Sequence, residues 1–309
     1  MENTILLFYK YTNIEDPKAL MEREKAVCNV LGLKGRILIA GEGINGTVEG
    51  TKENTKKYIA HILSDKRFKN MNIKESEGTK DLSAFPKLSV KVKNEIVSTK
   101  LPKEINPNKK TGKHLDPSEL KKWYENNEDF VIVDMRNDYE LDSGYFEKTV
   151  NDEIGFHLNA SRDLPEALEK SKLRIHKDKK IVTVCTGGVR CEKMSAYLVN
   201  QGFQNVYQLH NGMHAYMEKY PGQDFKGTLF TFDNRMVMDF GGEEREVVGK
   251  CVNCDMLSEN YTNCSNNSKL DKSDKAKKLC NKKVIVCENC IKNLKEKEQD
   301  ILCKDCQNI

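Results

Sequence analysis

The first hundred residues alternate short apolar runs with stretches in which apolar residues recur at helical spacing. The run TILLFYKY at 4–11 predicts a strand, and Asp16 followed by Pro17 predicts the N-cap and first turn of a helix. Two strands joined by a tight turn, a helix and a further strand are expected, in that order, at 36–40, 46–49, 52–64 and 88–97. The order β-α-β-β-α-β predicts a ferredoxin-like α+β domain over residues 1–98.

A change of pattern at residue 99 predicts a second domain. Residues 99–116 lack apolar periodicity and carry prolines and lysines, which predicts a basic linker. Residues 117–222 alternate short apolar strands with helices, which predicts an α/β domain with a parallel sheet and helices on both faces. The strands are expected at 130–135, 179–185 and 205–209, and the helices at 117–127, 164–170 and 192–200. A connecting segment, 223–250, leads to a cysteine-rich tail, 251–309.

Composition limits the classes of protein to which the chain can belong. Of its 309 residues, 38% are hydrophobic and 32% are charged, and the longest apolar runs are a handful of residues. A membrane-spanning helix needs about 20 apolar residues, so we expect no membrane association. The N-terminus lacks the basic segment of a secretory signal. An odd cysteine count with repeated C-x-x-C pairs indicates a reducing compartment, so we expect a cytoplasmic protein. Nothing in the pattern indicates an obligate protein partner.

The sharpest chemical feature is the loop Val184-Cys185-Thr186-Gly187-Gly188-Val189-Arg190-Cys191, between a predicted strand and a predicted helix. Its paired glycines let backbone N–H groups point inward, and the helix N-terminus adds positive potential. We therefore expect a lowered pKa for Cys185. A buried structural cysteine is the alternative, which the C-x-x-G-x-R spacing disfavours. The candidate catalytic residues are Cys185 and Arg190, with Thr186, Gly187, Gly188 and Cys191 supporting the loop.

This loop resembles the active loop of the rhodanese superfamily, which begins with the reactive cysteine. In rhodaneses the arginine follows that cysteine by five positions, whereas phosphatases of the related fold place it at six. Cys185 and Arg190 are separated by five positions. The segment DMRNDYE at 134–140 also resembles the rhodanese strand signature, which makes Asp134 and Arg136 further candidates. The resemblance implies sulfur-type chemistry rather than phosphate-ester hydrolysis.

The order of motifs along most of the chain resembles a narrower family, the oxygen-dependent tRNA uridine(34) hydroxylases, which contain a rhodanese domain. The matching segments are GRILIAGEGINGTVEG (35–50), FPKLSVKVKNEIV (85–97), DMRNDYE (134–140), CTGGVRCEKMSAYL (185–198) and the late C-x-x-C pairs. The resemblance implies an oxidoreductase that modifies tRNA by hydroxylating the wobble uridine to 5-hydroxyuridine. Molecular oxygen is then the co-substrate, and Cys185 is the essential residue.

Two other functions remain open from the sequence. The loop alone fits a sulfurtransferase that carries a persulfide on Cys185. A non-catalytic adaptor that docks a partner through the tail is also conceivable, although the Cys185 and Arg190 pairing disfavours it.

No flavin, NAD or haem motif is found. Residues 41–46 satisfy G-x-G-x-x-G, but a β-prone segment follows the third glycine, where a dinucleotide fingerprint requires a helix.

The tail holds eight of the eleven cysteines and few apolar residues. Eight thiolates can form two tetrahedral Zn²⁺ sites of four cysteines each, so we expect about two structural zinc ions that supply folding energy. Free thiols in a poorly ordered tail are the alternative. Spacing leaves the grouping open, because a ribbon-like set of the last four cysteines and an interleaved arrangement are both allowed. The candidate ligands are Cys251, Cys254, Cys264, Cys280, Cys287, Cys290, Cys303 and Cys306.

Charge indicates where a nucleic acid could bind. Residues 66–113 carry 13 Lys or Arg against 5 Asp or Glu, a net charge of +8 in a chain of formal net charge +4. The tail has a net charge of +2, which becomes about −2 once two Zn²⁺ ions bind eight thiolates. We therefore expect tRNA phosphates to contact the end of the first domain and the linker, against the alternative of a solvated lysine surface. The candidates are Lys91, Lys93, Lys100, Lys103, Lys109, Lys110 and Lys113.

Overall fold

The first domain is a five-stranded sheet with two helices. A computed structural model describes residues 2–102, 104–242, 246–267, 280 and 282–307 of the protein. The elements of the first domain are β1 (Asn3–Tyr11), α1 (Pro17–Val30), β2 (Lys34–Ala40), β3 (Gly43–Thr51), α2 (Lys52–Ser64), β4 (Ile73–Glu77) and β5 (Leu88–Val92). The sheet order is β4-β1-β3-β2-β5. Its first four strands form the ferredoxin-like sheet that the sequence predicts.

The strand that completes this ferredoxin-like sheet is a different one from the strand expected. Strand β4, with the sequence IKESE, pairs antiparallel with β1. The sequence does not reveal it, because three of its five residues are charged and no apolar alternation marks it. The strand expected at 88–97 ends at Val92 and joins β2 in parallel at the opposite edge, as β5.

Strand β1 presents apolar side chains on both of its faces. Leu6 and Phe8 are fully buried in a core shared with helices α1 and α2. The alternating residues Leu7, Tyr9 and Tyr11 lie on the other face, as the two-residue period of a strand requires. Helix α1 begins after the predicted Asp16 cap, whose carboxylate accepts the backbone N–H groups of Lys18 and Ala19 at 3.0 and 2.9 Å.

The second domain is built on a four-stranded parallel sheet, as the sequence predicts. Its elements are β6 (Lys113–Leu115), α3 (Pro117–Glu125), β7 (Phe130–Asp134), α4 (Asp138–Leu141), β8 (Gly144–Phe146), α5 (Leu164–Lys170), β9 (Lys180–Val184), α6 (Val189–Asn200), β10 (Val206–Leu209) and α7 (Gly212–Lys219). The parallel sheet has the order β6-β10-β9-β7. The three-residue edge strand β6 lies inside the segment 99–116, where the sequence predicts only a linker.

Both faces of the parallel sheet are covered by helices. Ile181 of β9 lies in a core with residues of α5 and α6 such as Leu168 and Met194. On the opposite face, Val182 lies in a core with residues of α3 and α7. Helix α6 begins at Val189, three residues before its expected start, so its N-terminus lies within the Cys185 loop.

The remaining elements follow the second domain along the chain, in the connecting segment and the tail. Strand β11 (Phe225–Gly227) pairs with β8, and β12 (Leu229–Phe230) pairs with β13 (Val237–Met238). In the tail, β14 (Tyr261–Asn263) pairs with β15 (Lys283–Ile285), followed by α8 (Glu288–Glu296) and α9 (Lys304–Gln307). The Tyr261 hydroxyl donates to the Tyr139 carbonyl oxygen at 2.6 Å, which ties the tail to the second domain. Within the described residues, every helix is too short or too polar to cross a membrane.

Candidate active site

The Cys185 loop connects β9 to α6, and glycine is required at one position within the loop and at one position packed against it. Cys185 is 1% exposed, and the backbone N–H of Gly188 donates to its Sγ at 3.2 Å. Gly188 forms the N-cap of α6 at φ +101°, in the left-handed region that glycine adopts at least cost. At Gly212, which begins α7, an added Cβ would lie 2.6 Å from the Cys185 carbonyl oxygen. The two glycines therefore let α6 and α7 converge on the loop.

Cys185 ionises at an unusually low pH for a buried cysteine. Burial alone raises its pKa, but the Cys191 thiol donates a hydrogen bond, Arg190 supplies positive charge, and the backbone N–H groups of both residues point at the sulfur. Together these contacts lower the pKa of Cys185 to about 6. Burial and the same hydrogen bond raise the pKa of Cys191 well above its ordinary value. At neutral pH, Cys185 is therefore a thiolate and Cys191 is a protonated donor.

Arg190 is held by a carboxylate rather than by the loop. Its guanidinium makes a bidentate pair with Glu140, at 2.6 and 2.8 Å, and both side chains are buried. Glu140 also accepts the backbone N–H of Asn137 at 2.8 Å, in the capping box of helix α4. Asn137 followed three residues later by Glu140 is the sequence signal that could have identified this partner.

Asp134 and Arg136 form a second buried ion pair, which contacts the backbone of Glu140. Both are fully buried, and the Arg136 guanidinium contacts the Asp134 carboxylate at 2.7 to 3.0 Å. Arg136 also donates to the carbonyl oxygens of Glu140 and Gly144, at 2.9 and 2.7 Å. The two residues therefore fix the backbone that carries Glu140. This gives Asp134 and Arg136 of the DMRNDYE segment a structural role.

The first domain packs directly on the Cys185 loop. The ammonium of Lys74, from β4, is 7% exposed and donates to the Gly187 carbonyl oxygen at 3.0 Å. Burial lowers the pKa of Lys74 to about 8, although the nearby Cys185 opposes this shift. The Tyr11 hydroxyl donates to the Val189 carbonyl oxygen at 3.1 Å. An added Cβ at Gly188 would lie 2.7 Å from the Tyr9 hydroxyl.

A partly buried ion-pair cluster joins the two domains beside the loop. Lys193 of α6 is 3% exposed and contacts Glu42 at 2.9 Å and Glu95 at 2.6 Å, both from the first domain. Neither Lys74 nor Lys193 is recognisable as a functional residue from the sequence, because contacts between distant segments leave no local pattern. The only available signal was the basic character of the region around Lys74.

A cavity of about 540 Å³ lies between the two domains, with the Cys185 loop on one wall. Cys185, Thr186, Gly187 and Arg190 line it from the second domain, and Leu7 and Tyr9 of β1 line it from the first. Its lining also includes residues that carry no functional signal in the sequence: Arg36, Leu38, Phe85, Arg162, His214 and Phe232. The thiolate thus faces a mostly apolar space between the two domains.

The candidate RNA-binding lysines lie at the surface. Lys91 belongs to the edge strand β5 and Lys93 follows it, and both are exposed. The remaining described lysines of the set, Lys100, Lys109, Lys110 and Lys113, are also exposed, while Lys103 falls outside the described residues. The ammonium of Lys113 lies 5.5 Å from the centre of the Tyr207 ring. Their role in RNA binding remains a prediction.

The eight tail cysteines form two clusters of four in an interleaved arrangement. Within each cluster the sulfur atoms lie within 4.8 Å of one another. Two of these sulfur pairs are 3.7 Å apart, Cys254 with Cys287 and Cys280 with Cys303. A tetrahedral site with Zn–S bonds of about 2.3 Å places its sulfurs roughly 3.8 Å apart, so the donors fit such an ion. The clusters are Cys251, Cys254, Cys287 and Cys290, and Cys264, Cys280, Cys303 and Cys306.

Known protein families and relatives match nearly the whole chain. Residues 3–96 match the family described as the UPF0176 acylphosphatase-like domain, residues 116–219 the rhodanese-like domain, and residues 226–307 the rhodanase C-terminal family. A protein of Staphylococcus haemolyticus named tRNA uridine(34) hydroxylase is 42% identical over 93% of this chain and 85% of its own length. A protein of the same name from Cytophaga hutchinsonii is 40% identical over 98% of this chain and 89% of its own length.

Proposed function

The chain belongs to the tRNA uridine(34) hydroxylase family, and from that premise we propose that it hydroxylates the wobble uridine of tRNA to 5-hydroxyuridine. Molecular oxygen is the co-substrate, and Cys185 is the reactive group. The observation that carries this proposal is the Cys185 thiolate on the wall of a cavity between the two domains. The volume of about 540 Å³ lies in the range of small-molecule sites and suits one nucleotide rather than a duplex.

The residues around Cys185 have distinct roles in this proposal. The Gly188 N–H and the Cys191 thiol stabilise the thiolate by hydrogen bonds, while Arg190, itself held by Glu140, supplies positive potential. The thiolate is the nucleophilic form of cysteine and the form that reacts with oxygen-derived oxidants. Should Cys185 become a sulfenic acid, the adjacent Cys191 thiol can condense with it to a disulfide and release water.

The tail has a structural role in this proposal, with one Zn²⁺ ion in each four-cysteine cluster. Zinc takes four thiolates in closed structural sites, and the sulfur separations suit it. Bound zinc joins the strands β14 and β15 to the ends of α8 and α9, in a segment with a small apolar core. The proposed macromolecular partner is tRNA, and the proposed location is the cytoplasm.

The test uses extract from cells that lack wobble hydroxylation, supplemented with the purified full-length protein and unmodified tRNA. Nucleosides are separated and weighed at high mass resolution, because adding one oxygen and exchanging an oxygen for sulfur give the same nominal mass. We expect 5-hydroxyuridine at position 34 with the wild-type protein and with Cys28→Ser, a change in the core of the first domain. We expect none with Cys185→Ser.

Two outcomes contradict the proposal. A thionucleoside together with a persulfide on Cys185 supports the sulfurtransferase that the loop alone suggests. Equal hydroxylation by the wild-type protein and by Cys185→Ser would mean that Cys185 is not the reactive group.

A further inference from the structure

The cavity beside Cys185 contains an aromatic ring that is more than half exposed. Phe232 is 56% exposed, although it follows the fully buried Phe230 by two residues. It lines the cavity, and the Arg190 guanidinium lies 5.7 Å from the centre of its ring. The ring packs T-shaped against the Phe230 ring, at 5.3 Å between centroids, and its exposed part offers a surface on which a flat ligand can stack.

The same cavity contains a buried histidine without a hydrogen-bond partner. His214 of α7 is 5% exposed and lines the cavity, and no hydrogen bond joins its ring to any described residue. The nearest carboxylate oxygen, of Glu218, is 3.9 Å from Nδ1, which is too far for a hydrogen bond. Burial, together with the charges of Lys74 and Arg235, lowers the pKa of His214 to about 4. At neutral pH the ring is therefore uncharged, with one donor and one acceptor nitrogen.

A second polar group in the cavity is also unsatisfied. The hydroxyl of Thr186, next to Cys185, is buried and has no hydrogen-bond partner among the described residues. Unsatisfied buried polar groups are costly in a folded protein, so two of them on one cavity wall indicate a polar ligand that satisfies them.

Two unpaired arginines complete the cavity lining, one from each domain. Arg36 of β2 and Arg162, which precedes α5, are exposed and make no ion pair or hydrogen bond with any described residue. The other arginines of the lining differ, because Arg190 is paired with Glu140 and Arg235 with Asp233. The guanidiniums of Arg36 and Arg162 are therefore free to bind anions at the cavity.

We propose that this cavity receives one unpaired nucleotide extruded from an RNA loop, an inference that rests on the proposed function. The base stacks on Phe232 and hydrogen-bonds His214 and Thr186, which places it against Cys185. The neighbouring phosphates bind Arg36 and Arg162, so the two domains hold the RNA backbone jointly. Unpaired loop nucleotides are suited to this mode, because they can be splayed out at small cost and recognised by stacking and by their polar edges.

The test measures binding to the full-length protein of two anticodon stem–loop RNAs, one with uridine at the wobble position and one abasic there. Phe232→Leu keeps an apolar side chain and removes the ring. It should weaken binding of the uridine RNA by about 5- to 150-fold. His214→Phe keeps the ring contact with Phe240 and removes the polar nitrogens, and it should weaken the same RNA by about 2- to 10-fold. Neither change should affect the abasic RNA.

The arginines should behave differently from the base-contacting residues. Arg36→Gln and Arg162→Gln should weaken binding of both RNAs equally. Each should also flatten the slope of log K against log salt by about 0.7. Matched controls outside the cavity should leave binding unchanged: Tyr145→Leu, His210→Phe and Arg174→Gln.

Two results overturn the inference. In the first, the wild-type protein binds the uridine and abasic RNAs with equal affinity. In the second, the cavity variants bind both RNAs with the same affinity as their control variants. The hydroxylation assay, run on the same proteins, separates this failure from failure of the proposed function. If the cavity variants hydroxylate as well as the wild-type protein does, the inference is contradicted and the proposed function is not. If binding depends on the base but no hydroxylation is found, the proposed function is contradicted and the inference is not.

Discussion

The charge pair behind the loop leads to a prediction in which two variants shift one pKa in opposite directions. Arg190 lowers the pKa of Cys185, and Glu140 partly neutralises Arg190 through the bidentate contact at 2.6 and 2.8 Å. Arg190→Met removes the positive charge and should raise the pKa of Cys185. Glu140→Gln leaves the arginine charge uncompensated and should lower it.

The magnitudes follow from the local electrostatics. With a pKa of about 6, roughly nine-tenths of Cys185 is thiolate at pH 7. A neighbouring opposite charge changes a pKa by about 1 to 3, so Arg190→Met should leave at most about half of it as thiolate at that pH. Both variants break a buried ion pair, and each should lower the free energy of unfolding by about 3 to 5 kcal/mol.

The assay follows alkylation of Cys185 by iodoacetamide as a function of pH. Trypsin releases the peptide IVTVCTGGVR, residues 181–190, in which Cys185 is the only cysteine. In Arg190→Met the peptide extends to Lys193 and includes Cys191, so fragment ions must locate the label. Arg174→Met serves as a control for loss of a remote positive charge. A pKa that rises in both variants refutes the reasoning, because loop disruption rather than charge would then set it.

Three further predictions concern other parts of the molecule. Cys185→Ser should abolish hydroxylation and leave the thermal unfolding midpoint nearly unchanged, because the glycines and helix ends shape the loop; a large loss of stability by calorimetry would contradict this. Elemental analysis should find about two zinc ions per chain, lost with tail structure under strong chelation, whereas less than one ion would favour free thiols. Replacing Lys109, Lys110 and Lys113 by Gln should flatten the salt dependence of tRNA binding by about 0.7 to 0.9 per lost phosphate contact and leave alkylation of Cys185 unchanged; an unchanged slope would make these lysines a solvated surface.

The sequence predicts best what local spacing determines. The separation of Cys185 and Arg190 and the glycines between them belong to one strand-to-helix connection, so the loop can be read directly from eight residues. Periodicity likewise predicts β1 to β3 and the two helices of the first domain, and the parallel sheet of the second. Asp16 predicts the start of α1 because an N-cap acts within three residues.

What the sequence leaves out depends on contacts between distant segments. Strand β4 is recognisable only through its pairing with β1, and Lys74 is significant only because that pairing carries it to the Gly187 carbonyl. Cysteine spacing cannot distinguish a ribbon-like set from interleaved clusters, because either grouping satisfies four-coordinate zinc. The cavity itself has no sequence signature, since Phe232 and His214 come together with Cys185 only in the folded chain.

The central claim is that Cys185 serves the hydroxylation of a tRNA wobble uridine. It is tested most directly in cells whose only source of wobble hydroxylation is this protein, grown under oxygen gas labelled with a heavy isotope. Nucleosides derived from 5-hydroxyuridine should carry one heavy oxygen when the wild-type protein is expressed and should be absent with Cys185→Ser. Unlabelled nucleosides with the wild-type protein, or labelled nucleosides with Cys185→Ser, would contradict the account.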